Sequence, residues 1–377
     1  MNMNDKMKNC LKWLLLLMAM FLAAYFAYNA GLDKANKEAQ SQREELQQLN
    51  RSSIAKLNVE EGPIYVIGHC SPDSDTVCSA IAYARFLSLL GYDASPRTSG
   101  TINNETAYIL QQVNFEVPEE LIDASGENIF LVDHSEYAQA VEGMIDAHIV
   151  GVIDHHGVGT LSTGNQVLYE AKPIGCTSTI IWLDYLNYGL EIDETTAYLM
   201  LGAILSDTDG LSGSTTTDAD VKAVEELSKL AKVDDVEAMY AKLHERKLSY
   251  DGFSDQEIIF SDYKEYEAGG YTFGIGLVNA IDMDTARDLA ARMKQALPEA
   301  FESRNVDYMY VSVGMRENGE KIDSVVPANE LSATVLTNVF PDYDEYDGTS
   351  YIFKTGLGRK TKFVPGFTDY LNSHPHE

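Results

Sequence analysis

Carboxylate and imidazole side chains gather in four short stretches: GHCSPDSD at Gly68–Asp75, LVDHSE at Leu131–Glu136, IDHH at Ile153–His156 and LSDT at Leu205–Thr208. His69, Asp73, Asp75, Asp133, His155 and Asp207 are the candidate metal ligands. Mixed imidazole and carboxylate donors suit Mn2+ better than Zn2+, which takes more sulfur and imidazole, or Ca2+, which takes oxygen alone. The Asp73-Ser74-Asp75 spacing is expected in extended backbone, where both carboxylates project to one side and serve two neighbouring cations. Asp133, at the end of an apolar run, is placed to bridge both. Cations about 3.5–4 Å apart that activate a water and clamp a phosphate make metal-assisted hydrolysis the expected reaction. His134 is expected to pack beside Asp133 or to support a ligand rather than bind metal itself.

Each stretch follows an apolar run that must position it. PIYVIGH, ENIFLVDHS and AHIVGVIDHH read as strands, and SAIAYARFLSLLGY, Thr177–Tyr188 and Glu194–Leu205 read as helices. Apolar strands alternating with helices predict an α/β fold with a largely parallel, Rossmann-like sheet whose carboxyl edge collects the chemistry. Helices at Asp218–Lys232 and Asp235–Lys247 lead into a second, smaller alternation with YTFGIGLVNAI, DYMYVSVGM and a helix at Met283–Leu297 that stops before Pro298. The expected division is 59–249 for the metal-binding domain and 250–377 for the second.

The chain carries 28 Lys and Arg against 58 Asp and Glu, a formal net charge of −30. That balance excludes a nucleic-acid polymer as partner, because a phosphate backbone is met with clustered basic residues. A small phosphate anion remains, provided bound cations and a few placed Lys and Arg residues make the site locally positive. Cys10, Cys70, Cys78 and Cys176 form no CxxC pair. From Trp13 to Leu32 no charged residue occurs, a run long enough to span a bilayer, and near its end AYFAYNA interposes Tyr and Phe where signal peptidase requires small residues. Residues 13–32 are therefore expected to form an uncleaved transmembrane helix, and 33–58 a polar stalk. The short N-terminal tail favours an extracytoplasmic catalytic domain, with the cytoplasmic side as the alternative.

With these residues in view, the chain resembles the DHH phosphoesterase superfamily, and within it the manganese-dependent, or family II, inorganic pyrophosphatases. The resemblance rests on GHCSPDSDTVCSAIAYA, LVDHSE, VIDHH, AKPIGCTSTII at Ala171–Ile181, LGAILSDT at Leu201–Thr208 and GRKTKFVP at Gly358–Pro365, and covers Pro63 to the C-terminus. It implies a DHHA2-type second domain and two Mn2+ ions per site, with Mg2+ accompanying substrate as an alternative. One ion would be held by His69, Asp73 and Asp133, the other by Asp75, Asp133, His155 and Asp207. His156 would face the substrate, and Lys264, Arg359 and Lys360 would form a phosphate clamp. The implied activity is hydrolysis of pyrophosphate to two orthophosphates in the cleft between the domains; the alternative substrate is short polyphosphate or a small nucleotide. Further partners are the membrane, through the N-terminal helix, and a second copy as a homodimer. The sequence departs from the family at Gly157, commonly basic, at Leu277, where Gln is expected, at Cys70, and in DGLSGSTTT after Thr208. These changes leave the metal ligands whole and thin the shell around the substrate.

Overall fold

A computed structural model describes residues 3–317 and 320–375. It opens with a long helix, α1 (Met3–Ile54), followed by β1 (Ile64–Ile67), α2 (Ser74–Leu89), β2 (Ala94–Pro96), α3 (Asn104–Gln112), β3 (Asn128–Val132), β4 (His148–Asp154), β5 (Leu168–Ala171), α4 (Thr177–Tyr188), α5 (Glu194–Asp207), α6 (Asp218–Leu230) and α7 (Val236–Lys247). The strands form one sheet in the order β2-β1-β3-β4-β5, every pair parallel. Its central strand β3, NIFLV, is buried at every residue, as expected of a strand covered on both faces. One face packs under α2, α4 and α5 through Val66, Phe130, Ile153, Tyr83 and Ile204. Ile67, Leu131, Val152 and Met144 fill the other.

The chain runs outward from β1 to β2, then returns across β1 to β3. This reversal opens a crevice between the carboxyl ends of β1 and β3, the place where open α/β sheets bind ligands. His69 lies just beyond β1, and Asp133 directly follows β3.

The remaining residues build α8 (Asp255–Phe260), β6 (Tyr263–Ala268), β7 (Tyr271–Asn279), α9 (Met283–Glu302), β8 (Tyr308–Glu317), β9 (Glu320–Pro327), α10 (Glu330–Val339), β10 (Glu345–Tyr346), β11 (Tyr351–Phe353) and α11 (Val364–Ser373). Here the sheet is mixed, β10-β11-β9-β8-β7-β6, with only β7 and β8 parallel, as the crossover through α9 requires. α9 does not stop before Pro298. It continues to Glu302, because the single N–H that proline lacks is outweighed by Leu297 and Ala300, both buried beside it.

α1 holds the apolar span and the polar stalk in one continuous helix, long and apolar enough to cross a membrane, with its apolar window unburied. The stalk is more than a tether, because its last turns dock on the C-terminus of α4. Arg51 Nε donates to the Tyr188 carbonyl and Nη2 to that of Gly189, both at 2.7 Å. Gln47 and Asn50 donate to the carbonyls of Leu186 and Asn187. Together they satisfy the carbonyls a helix end leaves unpaired, and Ile54 is buried beside them.

Candidate metal centre

All six predicted ligands converge at the carboxyl edge of the first sheet. Their donor atoms form two groups, His69 with Asp73 and Asp133, and Asp75 with Asp133, His155 and Asp207, each within 4.8 Å. Asp133 belongs to both. His155 and His156 form a third such group with it. His69 Nε2 lies 3.4 Å from Asp133 Oδ2, and His155 Nε2 lies 3.3 Å from Asp133 Oδ1 and 3.5 Å from Asp207 Oδ2.

Local structure explains each position. Asp133 leaves its strand with φ of +65°, a left-handed conformation that is costly for a side chain other than glycine and aims this carboxylate across the crevice. Thr76 Oγ1 donates to its Oδ2 at 2.7 Å and Thr177 Oγ1 to its Oδ1 at 3.1 Å. The Asp-x-Asp pair does not lie in extended backbone as expected. Asp73 caps α2, accepting from Thr76 N at 3.0 Å, and Asp75 is already helical. Their carboxylates therefore diverge, Asp73 toward His69 and Asp75 toward the N-terminus of α4. There Thr177 N and Ser178 N donate to Asp75 at 2.7 and 3.1 Å, a helix start receiving an anion. Asp207 arrives as the last residue of α5.

The electrostatics call for cations. Burial, then the charge of Asp133, pushes Asp75 up to about 6, and burial with Asp75 beside it raises Asp207 well above the carboxylate range. Burial also opposes charge on His155, yet Asp133, Asp75 and Asp207 raise it to about 10. His155 Nδ1 faces the Ile174 carbonyl at 3.0 Å and so carries the proton. Its Nε2 is buried with no hydrogen-bond partner, a lone pair facing two carboxylates unless a proton or metal lies between. Residues with this donor set fit manganese.

His134 joins none of the three groups among the described residues. Burial drives its pKa down to about 4, its Nδ1 meets the Val132 carbonyl at 3.1 Å, and its ring stands edge-on to His69, which fits the supporting role expected of it. His156 is half exposed, held by Asp154.

Two of the three residues expected to form a clamp, Lys264 and Arg359, are placed by β6 and by the turn before α11. Arg359, 9% exposed, donates to the carbonyl and carboxylate of Asp262, at 2.9 and 2.7 Å. Lys264 is half-buried on β6 opposite Ile275. The side chain of Lys360 lies outside the described residues. Sequence reasoning missed Thr76, Thr177 and Asp154, all inside the quoted motifs. It also missed Lys247, which donates to Ser206 Oγ at 3.1 Å and lies 4.0 Å from Glu105. Buried Glu105 in turn accepts from Ser74 and Ser206, neighbours of the predicted ligands Asp73, Asp75 and Asp207. No motif announces that network, since a lysine at a helix end is ordinary.

Fold and site together define a two-domain phosphoesterase of the DHH type. Residues 63–204 match the DHH family N-terminal domain, and residues 241–360 match the DHHA2 domain. The manganese-dependent inorganic pyrophosphatase of Methanothrix thermoacetophila is 38% identical over 248 residues, covering 65% of this chain and 78% of its own length. That of Bacillus subtilis is 32% identical over 311 residues, covering 82% and 98%. A Methanococcus jannaschii crystal structure assigned to the family II inorganic pyrophosphatases superposes with a TM-score of 0.66 at 29% identity, over 82% of this chain and 99% of that one. The chain belongs to the family of manganese-dependent inorganic pyrophosphatases.

Proposed function

We propose that this chain is a membrane-anchored, manganese-dependent pyrophosphatase that hydrolyses inorganic pyrophosphate to two orthophosphates. The observation that carries this reading is the sharing of Asp133 by two groups of donors, the arrangement a pair of adjacent cations needs. His69, Asp73 and Asp133 would hold one manganese ion, and Asp75, Asp133, His155 and Asp207 the other. When bound, the two ions supply positive charge that acidifies a water and offsets the charge of the phosphoryl oxygens.

The chain's own residues do the rest. Thr76 and Thr177 fix the two oxygens of Asp133, so the shared carboxylate need not reorganise during turnover. The leaving phosphate needs a proton, which His156 would give, and the bond of its Nδ1 to Asp154 supports this reading by fixing the ring. Lys264, Arg359 and Lys360 serve as the phosphate clamp from the second domain, which requires Arg359 to exchange Asp262 for substrate oxygens. Residues 13–32 form the membrane anchor, and we place the catalytic domain on the outer side, where it would act on pyrophosphate released there.

Phosphate release from the full chain in detergent tests this reading, with pyrophosphate, tripolyphosphate or a dinucleotide as substrate and Mn2+, Mg2+ or no cation. Manganese-dependent turnover fastest on pyrophosphate is expected. A preference for tripolyphosphate or the dinucleotide, or turnover indifferent to cation, would overturn it.

A further inference from the structure

Beyond the apolar span, α1 carries two stripes. One is occupied, because Gln47, Asn50, Arg51 and Ile54 face α4 and the core beneath it. The other is open: Leu32, Ala35, Ala39, Leu46 and Leu49 follow one another at heptad seam positions, with Gln42 the single polar residue between them and Ser53 closing the series. At about 100° per residue this stripe lies about a third of a turn from the docked one. Leu46 and Leu49 are 57% and 59% exposed although they belong to the folded, docked part of the helix. Spacings of three and four sustained in this way mark the seam of a two-stranded coiled coil. Within the apolar span every face fits such a pattern, so the information begins at Leu32.

The flanking charges identify the occupant. Asn36, Arg43 and Asn50 border the seam on one side, and Glu38, Glu45 and Ser52 on the other. In a parallel pair, residues five apart meet across the seam, which sets Glu38 against Arg43 of a second copy. An antiparallel pair would set glutamates against glutamates. We infer that α1 pairs with α1 of a second copy of this chain, in parallel and in register, from Leu32 to Ser53. About three heptads are marginal alone in water, and two anchors confined to one membrane supply the missing effective concentration and the parallel direction. In that respect the inference rests on the membrane-anchored reading. The docked stripe leaves each catalytic domain on the outer flank of the pair.

Oxidative cross-linking of the full chain in lipid vesicles tests this, with Leu46→Cys and Leu49→Cys at the seam, Glu44→Cys and Gln48→Cys away from it, and the unsubstituted chain as control for Cys10 and Cys70. The seam positions should give at least about fivefold more disulfide dimer than the other two. Arg43→Glu should lower the Leu46→Cys yield, and adding Glu38→Arg should restore it. Equal yields at all four positions, or none above the control, would overturn the pairing. Flotation of the same vesicles separates the two readings: a chain that stays unbound yet keeps the seam pattern loses its anchor and keeps its coiled coil.

Discussion

Asp154 Oδ1 accepts both the backbone N–H of His156, at 2.9 Å, and its ring Nδ1, at 3.1 Å. Burial works against the Asp154 charge, but the bonds from His156 outweigh it and hold the carboxyl below its usual range. Ser135 Oγ binds the second oxygen at 3.2 Å. An ionised carboxylate at Nδ1 fixes the ring and directs Nε2 to the proton-donating role proposed for it. Asp154→Asn should therefore lower kcat by about 10- to 100-fold while manganese stoichiometry stays unchanged. Adding it to His156→Ala should cost little more than His156→Ala alone. Independent, multiplying losses in steady-state kinetics would show that Asp154 does not act through His156.

Gly68 gives a test of the support under Asp133. A Cβ there would collide with Thr76 Cγ2, and Thr76 holds the shared carboxylate through its hydroxyl. Gly68→Ala should destabilise the fold by about 1–3 kcal/mol in urea unfolding and weaken manganese binding in calorimetry. Thr76→Ser keeps the hydroxyl and removes the colliding methyl, so it should recover most of both losses. If the double variant is no better than Gly68→Ala alone, the collision is not the cause.

Asp184, on α4 away from the metal centre, is 3% exposed, and burial raises its pKa to about 7 against the partial relief of Lys172. A raised carboxyl contributes its full stability below the unfolded value of about 4 and loses it as pH climbs to about 7, at up to about 1.4 kcal/mol per unit. Asp184→Asn removes that loss. The variant should gain stability over the parent between pH 5 and pH 8, then hold a constant advantage. Urea unfolding of both proteins across this range measures it, and an advantage that is the same at pH 5 as at pH 8 would contradict the account.

The clustering of His69, Asp133 and His155 was legible because each lies just beyond an apolar strand, and a parallel sheet brings such strand ends to one edge, whereas Asp207 arrives from the end of α5. Asp73 and Asp75 do join the donor groups, but not in the extended conformation expected of them. Strand alternation and a helix cap read alike over three residues, and only the bond from Thr76 N decides between them. Pro298 inside α9 and the docking of Arg51 on α4 depend on burial and on carbonyls contributed from far along the chain, which local pattern does not carry. Arg359 was expected at a phosphate, and its partner in the structure, Asp262, lies 97 positions away, beyond the reach of local pattern.

The central claim is tested most directly by anomalous scattering at the manganese edge from crystals of the full chain grown with Mn2+. Two peaks should stand on either side of Asp133, one among His69, Asp73 and Asp133 and the other among Asp75, Asp133, His155 and Asp207, about 3.5–4 Å apart. A catalytically active crystal with a single peak, or with manganese bound elsewhere, would contradict it.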